Sequence, residues 1–150
     1  MRVLVQIVKS SSVVVESECV GQIGYGALYF VAFKVNDTKE IIDKMVEKLL
    51  KLRIFPDENG KTNRSLKQVD GSILSISQFT LYADVKGGNR PSFTQSMGGK
   101  ESEELYTYFN AQLAKQGYHV ETGQYGADMK VGLINDGPFT ILLDSDELYG

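Results

Sequence analysis

"RVLVQIVKSSSVVVESECVGQIGYGALYFVAF", Arg2 to Phe33, carries no helical period. β-branched and aromatic residues fill four runs: "RVLVQIV" (Arg2 to Val8), "SVVVES" (Ser12 to Ser17), "ECVGQIG" (Glu18 to Gly24) and "ALYFVAF" (Ala27 to Phe33). Gly21, Gly24 and Gly26 punctuate them, which predicts four successive strands. The period then changes. In "NDTKEIIDKMVEKLLKLR", Ile41, Ile42, Met45, Val46, Leu49 and Leu50 recur at helical spacing, and Asp37 followed by Glu40 predicts a capping box at the helix start.

Beyond this helix, "FPDENGKTNRSLKQVDG" (Phe55 to Gly71) reads as a long polar loop, of a length that often has a function. "SILSISQFTLYAD" (Ser72 to Asp84) reads as a strand and "VKGGNRPSF" (Val85 to Phe93) as a basic loop. A second helix is predicted over "SEELYTYFNAQLAKQG" (Ser102 to Gly117), with Leu105, Tyr108, Phe109 and Leu113 as its stripe and Gly117 as its stop. "YHVETG", "DMKVGLI" and "FTILLD" predict three closing strands. No repeat or linker interrupts the chain. The expectation is one mixed α/β domain over 1–150, with a β-rich core and two main helices.

Composition narrows the chemistry. The chain has 150 residues, enough for a proper core, with 42% hydrophobic and 23% charged residues. Its longest apolar runs are too short to span a membrane, and the N-terminus lacks a signal-peptide pattern, so no membrane partner and a cytoplasmic location are expected. Cys19 is the only cysteine and His119 the only histidine. That excludes an intrachain disulfide and a Cys-rich or His-rich metal site, and leaves a Ser-His-Asp triad one candidate base. Neither metal nor cofactor is expected. The net charge of −3 argues against coating long nucleic acid, but not against gripping one short end with a local basic patch.

Three stretches carry candidate chemistry. If "SILSISQFTL" is a strand throughout, Leu74, Ile76, Gln78, Thr80 and Tyr82 share one face, and Ile73, Ser75, Ser77, Phe79 and Leu81 the other. The polar groups then either satisfy backbone at a sheet edge or line a site. Thr80 offers a nucleophilic hydroxyl without an evident base to activate it. Lys86 and Arg90, around Gly87 and Gly88, form either a solvated turn or a phosphate grip. Finally, "NDGPFT" (Asn135 to Thr140) places a permissive glycine before a proline that fixes φ. The pair makes a stiff corner, either a hairpin turn or a device that presents carbonyls.

"SQFTL" (Ser77 to Leu81) together with "NDGPFT" resembles the motif pair of the D-aminoacyl-tRNA deacylases. The similarity extends through "RVLVQ", "LRIFPDENGK" (Leu52 to Lys61), "GNRPSF" (Gly88 to Phe93) and "YGADMKV" (Tyr125 to Val131). The resemblance implies a barrel-like core and a homodimer acting on the 3′ acceptor end of D-aminoacyl-tRNA. A Gly137–Pro138 cis peptide would enter the partner subunit's pocket, where its two carbonyls hold the substrate's α-amino group and leave no room for an L side chain. Ser77, Gln78, Phe79 and Thr80 are then the implied catalytic positions, and Leu81, Asn135, Gly137, Pro138 and Thr140 bind substrate. Lys86 and Arg90 are the tRNA-binding candidates. Hydrolysis would be helped by the terminal ribose 2′-hydroxyl, with Thr80 as nucleophile the alternative, and glycyl-tRNA would not be excluded. The chain departs from the family at Ile7, where an arginine is usual and is thought to fix the corner, and at Phe139, where valine is common. A non-catalytic dimeric nucleic-acid-binding protein on the same fold, and an editing enzyme of changed chirality, are the competing readings.

Overall fold

Strand β1 (Arg2–Val15) organises the domain, because it bonds to three neighbours at once. The structure is a computed structural model describing residues 1–150. Two of the predicted strands are joined in β1, whose Arg2 to Val8 half pairs antiparallel with β3 (Gly26–Ala32) and whose Ser11 to Val15 end pairs with β2 (Glu18–Ile23). β6 (Ser72–Ser77) adds in parallel to β3, and β7 (Val120–Thr122) in parallel to β6. Along its other edge, nearly the whole of β1 pairs with β8 (Lys130–Asp144). The sheet curls almost shut: Gln22 of β2 donates its N–H to Glu121 of β7 at 3.4 Å, and a Cβ added at Gly21 would lie 2.8 Å from the Thr122 carbonyl oxygen. Only glycine permits so close an approach.

Alternation along β3 divides the core. Ala27, Tyr29 and Val31 face the helices together with Val3, Val5 and Ile7, whereas Leu28 packs with Val8, Val13, Ile23, Leu74 and Ile76 on the other side. Helix α1 (Lys39–Lys51) buries Ile42, Met45, Val46 and Leu49 against the first group. Its cap is Thr38, whose hydroxyl accepts the Ile41 N–H at 3.4 Å, and not Asp37 as the box pattern predicts. The Asp37 carboxylate is engaged instead by the Lys34 N–H at 2.7 Å. Helix α2 (Gly99–Lys115) buries Leu105, Tyr106, Phe109 and Leu113; Tyr108 sits at the edge and donates its hydroxyl to Asp43 at 2.7 Å. The stop is where the sequence puts it, with Gly117 at φ 93°. Within the predicted long loop, β4 (Phe55–Pro56) and β5 (Thr62–Arg64) form a short hairpin, and a terminal helix α3 (Ser145–Tyr149) ends the chain. The mixed α/β class and its barrel-like sheet are as expected.

Two strand predictions are corrected. The stretch Ser72 to Asp84 is a strand only to Ser77, because β3 ends at Ala32 and the Val31 carbonyl accepts the Gln78 N–H as the last rung, at 2.8 Å. A 3₁₀ turn over Phe79–Tyr82 follows, so the two-faced alternation of Gln78, Phe79, Thr80, Leu81 and Tyr82 does not exist. Nor do "DMKVGLI" and "FTILLD" form separate strands joined by a hairpin corner. β8 runs through both, paired with β1 on either side of the corner.

Arg2 ties this scaffold to the 3₁₀ turn. Its Nε donates to Asp144 at 2.9 Å, its Nη1 donates to the Leu81 carbonyl at 2.7 Å, and its guanidinium lies 4.4 Å from the Tyr82 ring centre. Burial works against the Asp144 charge, but the Arg2 hydrogen bond, the Asp146 N–H and the nearby positive charges outweigh it and hold the carboxyl below its ordinary range. A carboxyl depressed in the folded state stabilises the fold above its unfolded pKa and stops doing so as pH falls through the folded value. Asp144→Asn should therefore cost about 1–3 kcal/mol at neutral pH in urea unfolding, with the gap to the parent closing as pH drops below about 4. A gap unchanged down to pH 3 would show that the Arg2–Asp144 charge pair contributes nothing.

Candidate active site

Where β6 ends, the chain leaves the sheet and a cavity of about 470 Å³ opens beside it. Ser77, Gln78 and Phe79 form one wall and Val31, Ala32 and Phe33 the floor; Met97 to Gly99 and Tyr125 to Ala127 close the sides. None of the lining residues is Asp, Glu, His, Lys or Arg. The Met97–Gly99 wall carries no motif and is not legible in the sequence. Tyr125, within "YGADMKV", lines the cavity although nothing in its local sequence assigns it a role.

The polar side chains in the lining are those of Ser77, Gln78, Ser102 and Tyr125, and backbone groups of the 3₁₀ turn stand beside them. Phe79 opens a 3₁₀ turn, and the first N–H groups of such a turn have no acceptor within it. The Phe79 carbonyl accepts the Ser96 hydroxyl at 3.2 Å, which fixes the plane of the Phe79–Thr80 peptide and so the direction of the Thr80 N–H. The Phe79 ring is 54% exposed and packs at 5.1 Å on Phe93. Thr80 is exposed and outside the cavity lining, and its hydroxyl is bonded by the Gln78 side-chain amide. No carboxylate or imidazole reaches it. Leu81 also lies outside the lining, with its carbonyl held by Arg2. His119 is remote from the cavity, exposed and 3.3 Å from Glu121. No three His, Cys, Asp or Glu side chains converge to hold a metal. Lys86 and Arg90 project from an exposed loop closed by paired backbone bonds between Asp84 and Ser92; Phe93 joins that loop to Phe79 at the cavity mouth.

The corner stands apart from this cavity within one chain. β8 pairs Asn135 with Val8 and Thr140 with Gln6, so Asp136, Gly137, Pro138 and Phe139 all stand against the single residue Ile7. This is a bulge, which bends a strand and re-aims its residues. Gly137 has φ 154°, the Gly137–Pro138 peptide is cis, and both residues are exposed. Ile7 is buried in the helix-side core and offers the corner no polar group. Asn135 supplies the brace. Its Oδ1 accepts the Phe139 N–H at 2.7 Å, while its Nδ2 donates to the Phe139 carbonyl at 3.1 Å and to the Thr140 hydroxyl at 3.0 Å. Gln6 donates to the same hydroxyl at 3.2 Å. Asn135 and Thr140, expected to touch substrate, are thus engaged with the corner itself.

The domain is thus a single mixed α/β unit with an exposed corner on one side and, apart from it, a cavity lined without carboxylate, imidazole, ammonium or guanidinium groups. The chain belongs to the D-Tyr-tRNA(Tyr) deacylase family, a family of ester-bond hydrolases, whose model matches residues 4–144. It is 54% identical over 144 residues to a D-aminoacyl-tRNA deacylase of Lactobacillus acidophilus, covering 96% of this chain and 99% of that one. A D-aminoacyl-tRNA deacylase of Listeria monocytogenes is 52% identical over 148 residues, 99% of this chain and 98% of the relative. Among solved structures, the c-Myc DNA Unwinding Element Binding Protein superposes with a TM-score of 0.90 at 38% identity, covering 96% of this chain and 98% of that chain. No helix is long and apolar enough to cross a membrane.

If Asn135 holds the corner, Asn135→Ala should abolish hydrogen-exchange protection of the Phe139 amide at a cost of about 1–2 kcal/mol in stability. Asn135→Asp, which keeps the acceptor, should preserve much of that protection. Unchanged protection in the alanine variant would mean that the backbone bulge holds itself.

Proposed function

We propose that the chain hydrolyses the ester bond of D-aminoacyl-tRNA as a homodimer, each subunit's Gly137–Pro138 corner completing the partner's cavity. The observation that carries this reading is the lining of that cavity. With no ionisable acid or base in it apart from the Tyr125 phenol, proton transfer falls to the substrate and water. The cavity also lacks the corner that the family resemblance requires, and the same chain exposes it elsewhere. Around the corner, β8 exposes Ile134 (57%) and Leu142 (51%), an apolar surface suited to a partner subunit.

In this reading the carbonyls of Gly137 and Pro138 receive the substrate's α-ammonium group. Fixing that group and the ester leaves the two remaining substituents of the α-carbon in set directions. A D side chain points outward, whereas an L side chain meets the corner. Rejection is by clash, so the hydrogen of glycine passes and mischarged glycyl-tRNA is also a substrate. The ester carbonyl faces the N–H groups of Phe79 and Thr80. A preorganised donor of this kind is worth about 10²–10³ in rate on the developing oxyanion. Water adds to the carbonyl carbon, the bond to the ribose 3′-oxygen breaks, and the water proton reaches that oxygen through the neighbouring 2′-hydroxyl. Thr80 lacks a base and serves through its N–H. Lys86 and Arg90 flank the mouth and meet the terminal phosphates.

The solved structure named for DNA binding supports a second reading, a nucleic-acid-binding protein without the hydrolase activity. Parallel incubation with D-tyrosyl-tRNA and L-tyrosyl-tRNA separates the two. The deacylase reading predicts release of D-tyrosine alone, largely retained in Thr80→Ala. It also predicts loss by at least about tenfold in Gly137→Ala, whose added Cβ would lie 2.8 Å from the Phe139 nitrogen at a φ suited to glycine. Binding without release from either substrate would establish the second reading, and complete inactivity of a folded Thr80→Ala would restore its hydroxyl as the nucleophile.

A further inference from the structure

The segment from Lys48 to Lys67 departs from the acidic balance of the chain. It holds six basic residues and two acidic ones, in a protein of net charge −3. The fold gathers this charge around an open depression of about 760 Å³, between the end of α1 and the β4–β5 hairpin, with Lys51, Arg53, Arg64 and Lys67 on its walls. Lys51 pairs with Glu47 at 2.6 Å, but Arg53, Arg64 and Lys67 have no carboxylate within ion-pair distance. Asp57 and Glu58 share the depression. The Asp57 carboxylate is already occupied, accepting N–H groups of Asn59 at 2.9 Å and Lys61 at 3.0 Å and the Asn63 amide at 3.2 Å. Those bonds, led by the one from Lys61, together with the nearby Arg64 charge, hold its carboxyl below the ordinary range.

Arg53 is positioned rather than loose. Its Nε donates to the Asn63 carbonyl at 2.9 Å and a terminal nitrogen donates to the Asn63 side chain, which leaves further donors of its fixed fork free. Arg64 extends from β5 with no hydrogen bond of its side chain spent within the protein. Two guanidinium groups and an ammonium around a concave polar surface suit several phosphates spaced along a strand. Leu66, buried among them, anchors the depression to the core just before β6 begins. The cavity opens at the far end of β6, whose six residues span about 20 Å at roughly 3.3 Å per residue. That distance equals about six stacked nucleotides at about 3.4 Å each, enough to pass the single-stranded 3′ end and reach the first base pairs of an acceptor stem.

We propose that this basic depression is a second RNA contact, holding acceptor-stem phosphates of the tRNA whose 3′ end occupies the cavity. It rests on the deacylase reading for the identity of the RNA and would give affinity for tRNA without reading its sequence.

The test compares the parent with Arg64→Gln/Lys67→Gln, which spares the Arg53–Asn63 brace, on two substrates: D-tyrosyl-tRNA and the D-tyrosyl ester of the 3′-terminal trinucleotide. The KM for tRNA should rise on the order of tenfold at physiological salt, and its salt dependence should weaken by about two in log–log slope, with kcat unchanged. Kinetics on the trinucleotide ester should not move. An unchanged tRNA KM, or an equal loss on both substrates, overturns the proposal. Anisotropy titration of an uncharged acceptor-stem duplex keeps the two readings separate. If the parent hydrolyses neither ester yet binds the duplex more tightly than the variant, the contact stands and the deacylase reading falls. Equal duplex affinity in parent and variant removes the contact, whatever the activity.

Discussion

Four residues of β8 have to be accommodated opposite one residue of β1. Because β1 also pairs with β3 through the same residues, it cannot bend away to relieve the mismatch, and the surplus backbone is pushed outward at Gly137 and Pro138. The ladder resumes at Thr140 and runs to Asp144, where Arg2 joins it to the 3₁₀ turn that carries Phe79. Both halves of the proposed site are therefore fixed by the same strand. Asn135 completes the arrangement, since a bulge of this size leaves backbone groups without ladder partners, and its amide answers an N–H and a carbonyl at once.

An uncharged cavity constrains the chemistry as strongly as a triad would. In the proposed reading, selectivity and rate come from main-chain groups, whose directions are set by the fold and which do not titrate. Such a site would read the configuration at the α-carbon while remaining indifferent to the identity of the side chain. The buried Ile7, opposite the bulge, contributes packing alone. The corner is held through Asn135, Thr140 and Gln6, three neutral side chains that can exchange hydrogen bonds without desolvating a charge.

Local pattern made the elements legible where local forces decide them. The 3.6-residue period placed both helices, and glycine marked the end of α2. It failed where partners decide. The apolar run through "SISQFTLY" has the composition of a strand, but its neighbour ends first, and a strand without a partner gives way to a turn. "NDGPFT" has the composition of a hairpin, yet the residues on either side bond to the same strand. The capping box failed for a related reason, since Asp37 is taken by the Lys34 N–H and Thr38 caps in its place. Of the catalytic candidates, Ser77, Gln78 and Phe79 do line the cavity; Thr80 does not, and Met97 to Gly99 were invisible without the fold. The family resemblance supplied what periodicity lacks, a link between two stretches more than fifty residues apart.

The central claim is that each site is built from two subunits, and subunit mixing tests it most directly. Gly137→Ala impairs the corner, while Ala127→Trp fills the cavity from its half-buried rim. Each variant alone should hydrolyse D-tyrosyl-tRNA poorly. Dissociated, mixed in equal amounts and reassociated, they should recover activity, to roughly a quarter of the parent's, because a mixed two-fold dimer carries one site with both an intact corner and an intact cavity. A mixture no more active than the two variants measured separately, with mixed dimers verified by mass, would contradict the account and place corner and cavity function within one chain.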